Sequence, residues 1–102
     1  MTVTIIGTVT ARPECRHELE DLLGRQVEPT RAEPGCINYD FHADAVDPCV
    51  FVFYENWTSQ AALDEHLKMP HLALLMSQID RLLAVPVDIR HLTMLSAHVV
   101  AQ

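Results

Sequence analysis

Positive charge is scarce in this chain. Seven Lys and Arg stand against fourteen Asp and Glu, a formal net charge of −7 over 102 residues. No Lys/Arg cluster is present. Nucleic-acid affinity comes largely from neutralising phosphates, and adhesion to an anionic membrane needs the same charges, so both partners are disfavoured. Long apolar runs are missing as well. No stretch approaches the roughly 18 apolar residues of a membrane-spanning helix. The start, Met1 to Ile6, has neither the basic region nor the apolar stretch of a secretory signal, so the cytoplasm is the expected compartment. Cysteine is sparse and unpaired. Cys15, Cys36 and Cys49 are odd in number and form no metal-binding or redox pair, which leaves free, partly buried thiols in a reducing environment. Repeats, low-complexity stretches and linkers are absent, so residues 1–102 are expected to form one domain. With 49% apolar and 21% charged residues, the chain has the make-up of an ordinary globule.

What the chain has in surplus is apolar strand surface. In residues 50–57, Val50, Val52 and Tyr54 alternate with Phe51, Phe53 and Trp57, and Glu55 interrupts the second row. The first strand repeats the pattern, with Val3, Ile5 and Val9 facing one way and Ile6 the other. A small sheet can cover one face with its own helices. A partner subunit or an apolar ligand must cover the second.

The order of elements follows from local signals. Residues 2–11 read as a strand rich in Thr, Val and Ile. Pro13 opens a helix predicted to run to about residue 31, with Leu19, Leu22, Leu23 and Val27 as its apolar stripe. Gly24 weakens it or marks a close contact, and Pro29 complicates its last turn. Glu33-Pro34-Gly35 is a turn signal. A second strand, 36–44, puts Ile37, Tyr39 and Phe41 on one face, and a short turn leads to the third strand, 49–57. Thr58 or Ser59 caps the next helix. Pro70 interrupts that helix, and another runs from His71 to about Leu83. Residues 87–95 form the last strand, and the tail from Ser96 extends it or swaps onto a partner. Strand, helix, strand, strand, helix, strand is the split β-α-β signature of an α+β, ferredoxin-like sandwich with an antiparallel sheet. Its bare face invites a second copy, and a two-fold homodimer is the simplest closure.

Four groups of residues now carry a resemblance: Glu33-Pro34-Gly35-Cys36 with Tyr39, Phe53-Tyr54-Glu55-Asn56-Trp57, Ala62-Leu63-Asp64-Glu65-His66, and Pro70-His71. In these the chain resembles the antibiotic biosynthesis monooxygenases, which include quinol monooxygenases. The resemblance implies a head-to-head dimeric α/β barrel with a pocket in each subunit between sheet and helices. It implies oxidation of a quinol, anthrone or similar polycyclic phenol by O₂, with no metal, flavin or haem. The substrate anion supplies the electrons, and the protein supplies a dry pocket and groups that manage a proton and an oxyanion. Haem-degrading relatives need an axial histidine with an asparagine and a tryptophan. Gly7 stands where those enzymes carry the asparagine, which argues against haem.

The candidate catalytic residues are His66, Trp57 and Asn56. Histidine exchanges its proton near neutral pH, which suits a general base, and His66 matches the family's recurring histidine. A structural hydrogen-bonding role competes with that reading. Trp57 is either core packing or a wall that stacks on an aromatic substrate. Asn56 points away from Trp57; it positions a phenolate or peroxide, or it bonds the following turn. Tyr39, Phe53, His71, Glu55 and Arg90 are the candidate pocket residues. A buried Glu55 must be paired or stay protonated, and Arg90 on the last strand is the expected partner. His71 either faces the pocket or caps its helix. His66 and His71 are spaced poorly for a metal. His17, His42, His91 and His98 read as surface or edge residues, and Arg12 and Arg31 as possible contacts for an anionic substrate group. Two other functions fit the same pattern: a non-catalytic dimer that binds a small apolar metabolite, and an isomerase using a histidine to shuttle a proton. An aromatic pocket favours the oxygenase or the binder. A polar pocket with several basic residues favours the isomerase.

Overall fold

Four antiparallel strands form one sheet in the order β2-β3-β1-β4 in the computed structural model, which describes residues 2–96. The strands are β1 (Val3–Thr10), β2 (Cys36–Ala43), β3 (Val50–Trp57) and β4 (Asp88–Leu92). Between them run α1 (Arg16–Gly24), α2 (Val27–Arg31), α3 (Gln60–His66) and α4 (Pro70–Ile79), with short 3-10 turns at Pro13–Cys15 and Asp80–Leu82. This is the expected ferredoxin-like α+β monomer. His98 and the Val99–Val100 tail lie outside the described residues.

The two central strands set the core. Alternation places Ile5 and Val9 of β1 and Phe51, Phe53 and Trp57 of β3 on the face beneath the helices, where all are buried. Leu19, Leu22 and Leu23 of α1, Leu63 of α3 and Leu75 and Ile79 of α4 close over them. Each such side chain contributes roughly 1.5–3 kcal/mol by leaving water. Among the described residues no helix covers the other face. Ile6, Val50 and Val52 are only half-buried there, and Tyr54 is exposed.

Three expectations need correction. The helix predicted over 13–31 is broken twice. Pro13 starts a 3-10 turn, α1 ends at Gly24, and the chain restarts as α2. Pro29 has no N–H to donate back to Arg25, so one continuous helix would leave that carbonyl unpaired. Ile37 does not share a face with Tyr39 and Phe41. Cys36 pairs with Trp57 and Asn38 with Asn56, so Ile37 is the extra residue of a bulge and is 52% exposed. The last strand is shorter than predicted. It pairs with β1 only from Asp88 to Leu92, where β1 itself is about to end. The prolines and caps behave as read: Pro70 sits in the first turn of α4, and Ser59 Oγ accepts from Ala62 N at 3.1 Å at the start of α3.

Candidate active site

A cavity of about 530 Å³ opens between the helix-side face of the sheet and helices α3 and α4. That volume lies within the range of small-molecule sites. Its floor is Gly7, Phe53 and Glu55, its wall is Tyr39 and His66, and Leu67, Met76, Ile89 and His91 surround its mouth. Gly7 makes room. A Cβ there would come 3.3 Å from the tip of Ile89. The lining is predominantly apolar, with aromatic rings in contact: Tyr39 and Phe53 lie 4.9 Å apart, centroid to centroid.

Behind this wall lies a buried polar cluster, built by three separate segments. The turn after α2 brings in Glu33, the end of α3 brings in His66, and the first turn of α4 brings in His71. Gly35 makes the turn possible. Its φ is +84°, and an added Cβ would meet Ala62 Cβ at 2.5 Å and Thr58 Oγ1 at 2.8 Å. His66 Nδ1 lies 2.9 Å from Glu33 Oε2. His71 Nε2 lies 2.9 Å from the same oxygen and 3.2 Å from Thr30 Oγ1. Glu33 and His66 are almost wholly shielded from solvent; His71 is about one-fifth exposed. As a carboxylate Glu33 can only accept, so His66 donates from Nδ1. Nε2 is then the ring nitrogen left to meet a ligand.

Trp57 and Glu55 extend the cluster. Trp57 is fully buried, its ring 4.7 Å from His66, and its Nε1 donates to Glu55 Oε1 at 3.0 Å. Burial pushes the Glu55 carboxyl above the ordinary carboxylate range, and the nearby Glu33 charge adds to this; the Trp57 hydrogen bond and His66 pull the other way. Burial also pushes the Tyr39 phenol up, reinforced by Glu55, so it remains a neutral hydroxyl. The Cys36 thiol is raised by burial and by both glutamates, so it is not a reactive thiolate.

His66, Tyr39, Phe53 and Glu55 therefore line the cavity, while Trp57 and His71 stand immediately behind it. Asn56 and Arg90 are placed elsewhere. Asn56 points to the opposite face. There it accepts from Thr4 Oγ1 at 2.6 Å and donates to Asn38 Oδ1 at 2.9 Å, so it bonds across strands and not to the following turn. Arg90 shares that outer face, exposed, 3.4 Å from Asp88. It cannot reach Glu55 through the sheet, and the expected Glu55–Arg90 pair does not form; Glu55 is bonded to Trp57 instead. Arg12 and Arg31 are spent on the protein: Arg12 Nε donates to Leu83 O, and Arg31 Nε donates to Tyr39 O and its Nη2 to Asp40. His91, read as an edge residue, also flanks the cavity mouth.

Glu33 is the functional candidate that sequence reasoning missed. It looked like one part of a turn signal. No local signal marked its role, because its partners His66 and His71 lie on elements far along the chain. The metal reading changes with it. The ligand-type atoms of Glu33, His66 and His71 all lie within 4.8 Å of one another, although the two histidines alone have unsuitable spacing.

Residues 2–76 match the antibiotic biosynthesis monooxygenase family. A Mycobacterium tuberculosis protein that carries a provisional monooxygenase name is 39% identical over 87 residues, covering 85% of each chain. The solved structure of that mycobacterial protein superposes with a TM-score of 0.90 at 37% identity, over 95% of this chain and 98% of the other. A Pseudomonas aeruginosa structure gives 0.89 at 37% identity, over 93% and 95%. An uncharacterised Synechocystis protein is 34% identical over 88 residues, which are 86% of this chain but only 60% of that protein's length. Motif, sheet order and superposition agree, and this chain belongs to the antibiotic biosynthesis monooxygenase family.

Proposed function

We propose that the chain is a cofactor-independent monooxygenase that oxidises a quinol, anthrone or similar polycyclic phenol with O₂. The observation that carries this reading is His66, held by Glu33 in the wall of an apolar cavity of about 530 Å³. Glu33 accepts from Nδ1 and so directs the lone pair of Nε2 toward a ligand. Nε2 takes a hydroxyl or benzylic proton from the substrate. The resulting anion gives an electron pair from a ring or benzylic carbon to O₂ and forms a C–O bond. The peroxide so made breaks its O–O bond and loses the proton left on that carbon, giving a carbonyl and one water. Tyr39, a neutral phenol, and Glu55 are the groups available to donate to developing negative charge. The apolar lining favours a planar aromatic substrate and disfavours the sugar-like ligand of an isomerase.

The same reading makes the protein a homodimer joined through the outer faces of its sheets. Half-exposed Ile6, Val50 and Val52 with Tyr54 supply the apolar part of that contact.

Oxygen consumption by the purified protein, metals chelated and flavin absent, tests the proposal on a panel of quinols and anthrones. The expected result is a rate above autoxidation that falls roughly 10²- to 10⁴-fold in His66→Gln, the usual size of a general-base contribution. A rate equal to autoxidation across the panel would leave the apolar-metabolite binder as the better reading.

A further inference from the structure

We propose that Glu33, His66 and His71 form a binding site for a borderline divalent cation of the zinc class, and that occupancy reverses the proton polarity of His66. The site is one carboxylate and two imidazoles drawn from three segments. Two of the nitrogens already lie 2.9 Å from one carboxylate oxygen, and all three ligand atoms fall within 4.8 Å. A tetrahedral ion with bonds of about 2.0–2.1 Å holds its ligand atoms about 3.3 Å apart, so small side-chain shifts complete the geometry. Neutral imidazole and carboxylate are the donors zinc prefers after thiolate, and three protein ligands leave a position for water.

The electrostatics agree. Glu33 offsets one of the ion's charges, and the chain's net charge of −7 favours cations in general. His71 is about one-fifth exposed, so the cluster is not wholly sealed from solvent. Without the ion, Nδ1 of His66 carries the ring proton and donates to Glu33. With the ion on Nδ1, the same single proton sits on Nε2. The nitrogen toward the cavity thereby changes from acceptor to donor. If His66 is the base of the proposed oxidation, the cation switches that base off; this last consequence rests on the proposed function, and the binding site does not.

Titration of the whole protein with Zn²⁺ against a chromophoric competitor is the first arm. One ion per chain is expected. His71→Ala, a partly exposed position, should weaken binding roughly 10- to 100-fold or more, since losing a ligand costs at least as much as losing an outer-shell partner. Long-range ¹H–¹⁵N NMR of the unmutated protein is the second arm, and it does not depend on the variant folding. It should show the His66 proton on Nδ1 without zinc and on Nε2 with it. Unchanged affinity in a folded His71→Ala, an unchanged His66 tautomer, or a Co²⁺ complex with thiolate charge-transfer absorption from Cys15, Cys36 or Cys49 would each overturn the site. Zinc binding with no oxidation of any substrate would overturn the proposed function alone.

Discussion

The two faces of the sheet bury polar groups in opposite ways. On the outer face Thr4 donates to Asn56, Asn56 to Asn38, and Asn38 to Asp40, which also receives Arg31. Every member but the last pair is neutral, and each donor points along the same direction, so the bonds polarise one another. On the inner face the groups are ionisable: Glu33 with two histidines, and Glu55 with Trp57. A neutral network can lie against another surface without the cost of burying charge. An ionisable one, placed behind an apolar cavity, is where a proton can change hands. On the proposed function, the outer face is the one for contact and the inner face the one for chemistry.

The inner face is most sensitive where its turn is fastened to α3. Gly35→Ala puts a Cβ into the left-handed region and into overlap with Ala62 and Thr58. The cost should be roughly 2–4 kcal/mol, read as a lower urea midpoint with unchanged slope. The outer network should survive in the folded fraction. An unchanged midpoint would mean that the Glu33 turn is not held by α3.

A smaller loss is expected from Trp57→Phe, which keeps a ring and removes the indole donor. Glu55 Oε1 is then buried without its partner, at about 1–3 kcal/mol. Glu55→Gln tests the same pair through pH. Burial raises the folded pKa of Glu55 above its unfolded value, against the Trp57 and His66 interactions and with that of Glu33. The neutral carboxyl is therefore the form folding favours. Its contribution is fully present below the unfolded pKa and is lost as pH rises through the folded one. Glu55→Gln should abolish that loss, so the variant gains on the unmutated protein as pH rises from the ordinary carboxylate range through the raised value. Urea unfolding at a series of pH values, with a metal chelator present, checks the sign.

The outer face should respond more mildly and without any chemical consequence. Asn56→Ala leaves the Thr4 hydroxyl and the Asn38 amide short of a partner and should cost roughly 1–2 kcal/mol. The proposed oxidation, measured per folded chain, should be unchanged. A collapse of the rate with stability intact would return Asn56 to the catalytic set and dissolve the division between the faces.

How far this division could be read in advance depends on the kind of signal. Strand alternation placed Phe51, Phe53, Glu55 and Trp57 on one face and Asn56 on the other, because period-two geometry is local. Proline and serine positions marked where α3 and α4 begin, because caps are local too. The bulge at Ile37 was hidden, since it depends on the register between Cys36 and Trp57. Glu33 was hidden for the same reason: nothing within a few residues of it announces a histidine on another helix. Pairing partners were the least legible part. Opposite charges suggested Glu55 with Arg90, but only the sheet's two-sidedness decides which side chains can meet.

That mistaken pair supplies the mildest test. Ile6 pairs with Arg90 and Ile5 with both Glu55 and His91, so Arg90 and Glu55 leave the sheet on opposite sides. The guanidinium is mostly exposed, and its contact to Asp88 spans 3.4 Å at the surface. Exposed pairs of this kind contribute little, and solvent screens what remains. Arg90→Ala should therefore change stability by no more than about 0.5 kcal/mol. The pH profile of Glu55 should also stay where it was, which a charge partner could not allow. A profile displaced to higher pH by Arg90→Ala would mean that the two faces communicate through the sheet, and that a cation outside the cavity tunes the carboxyl within it.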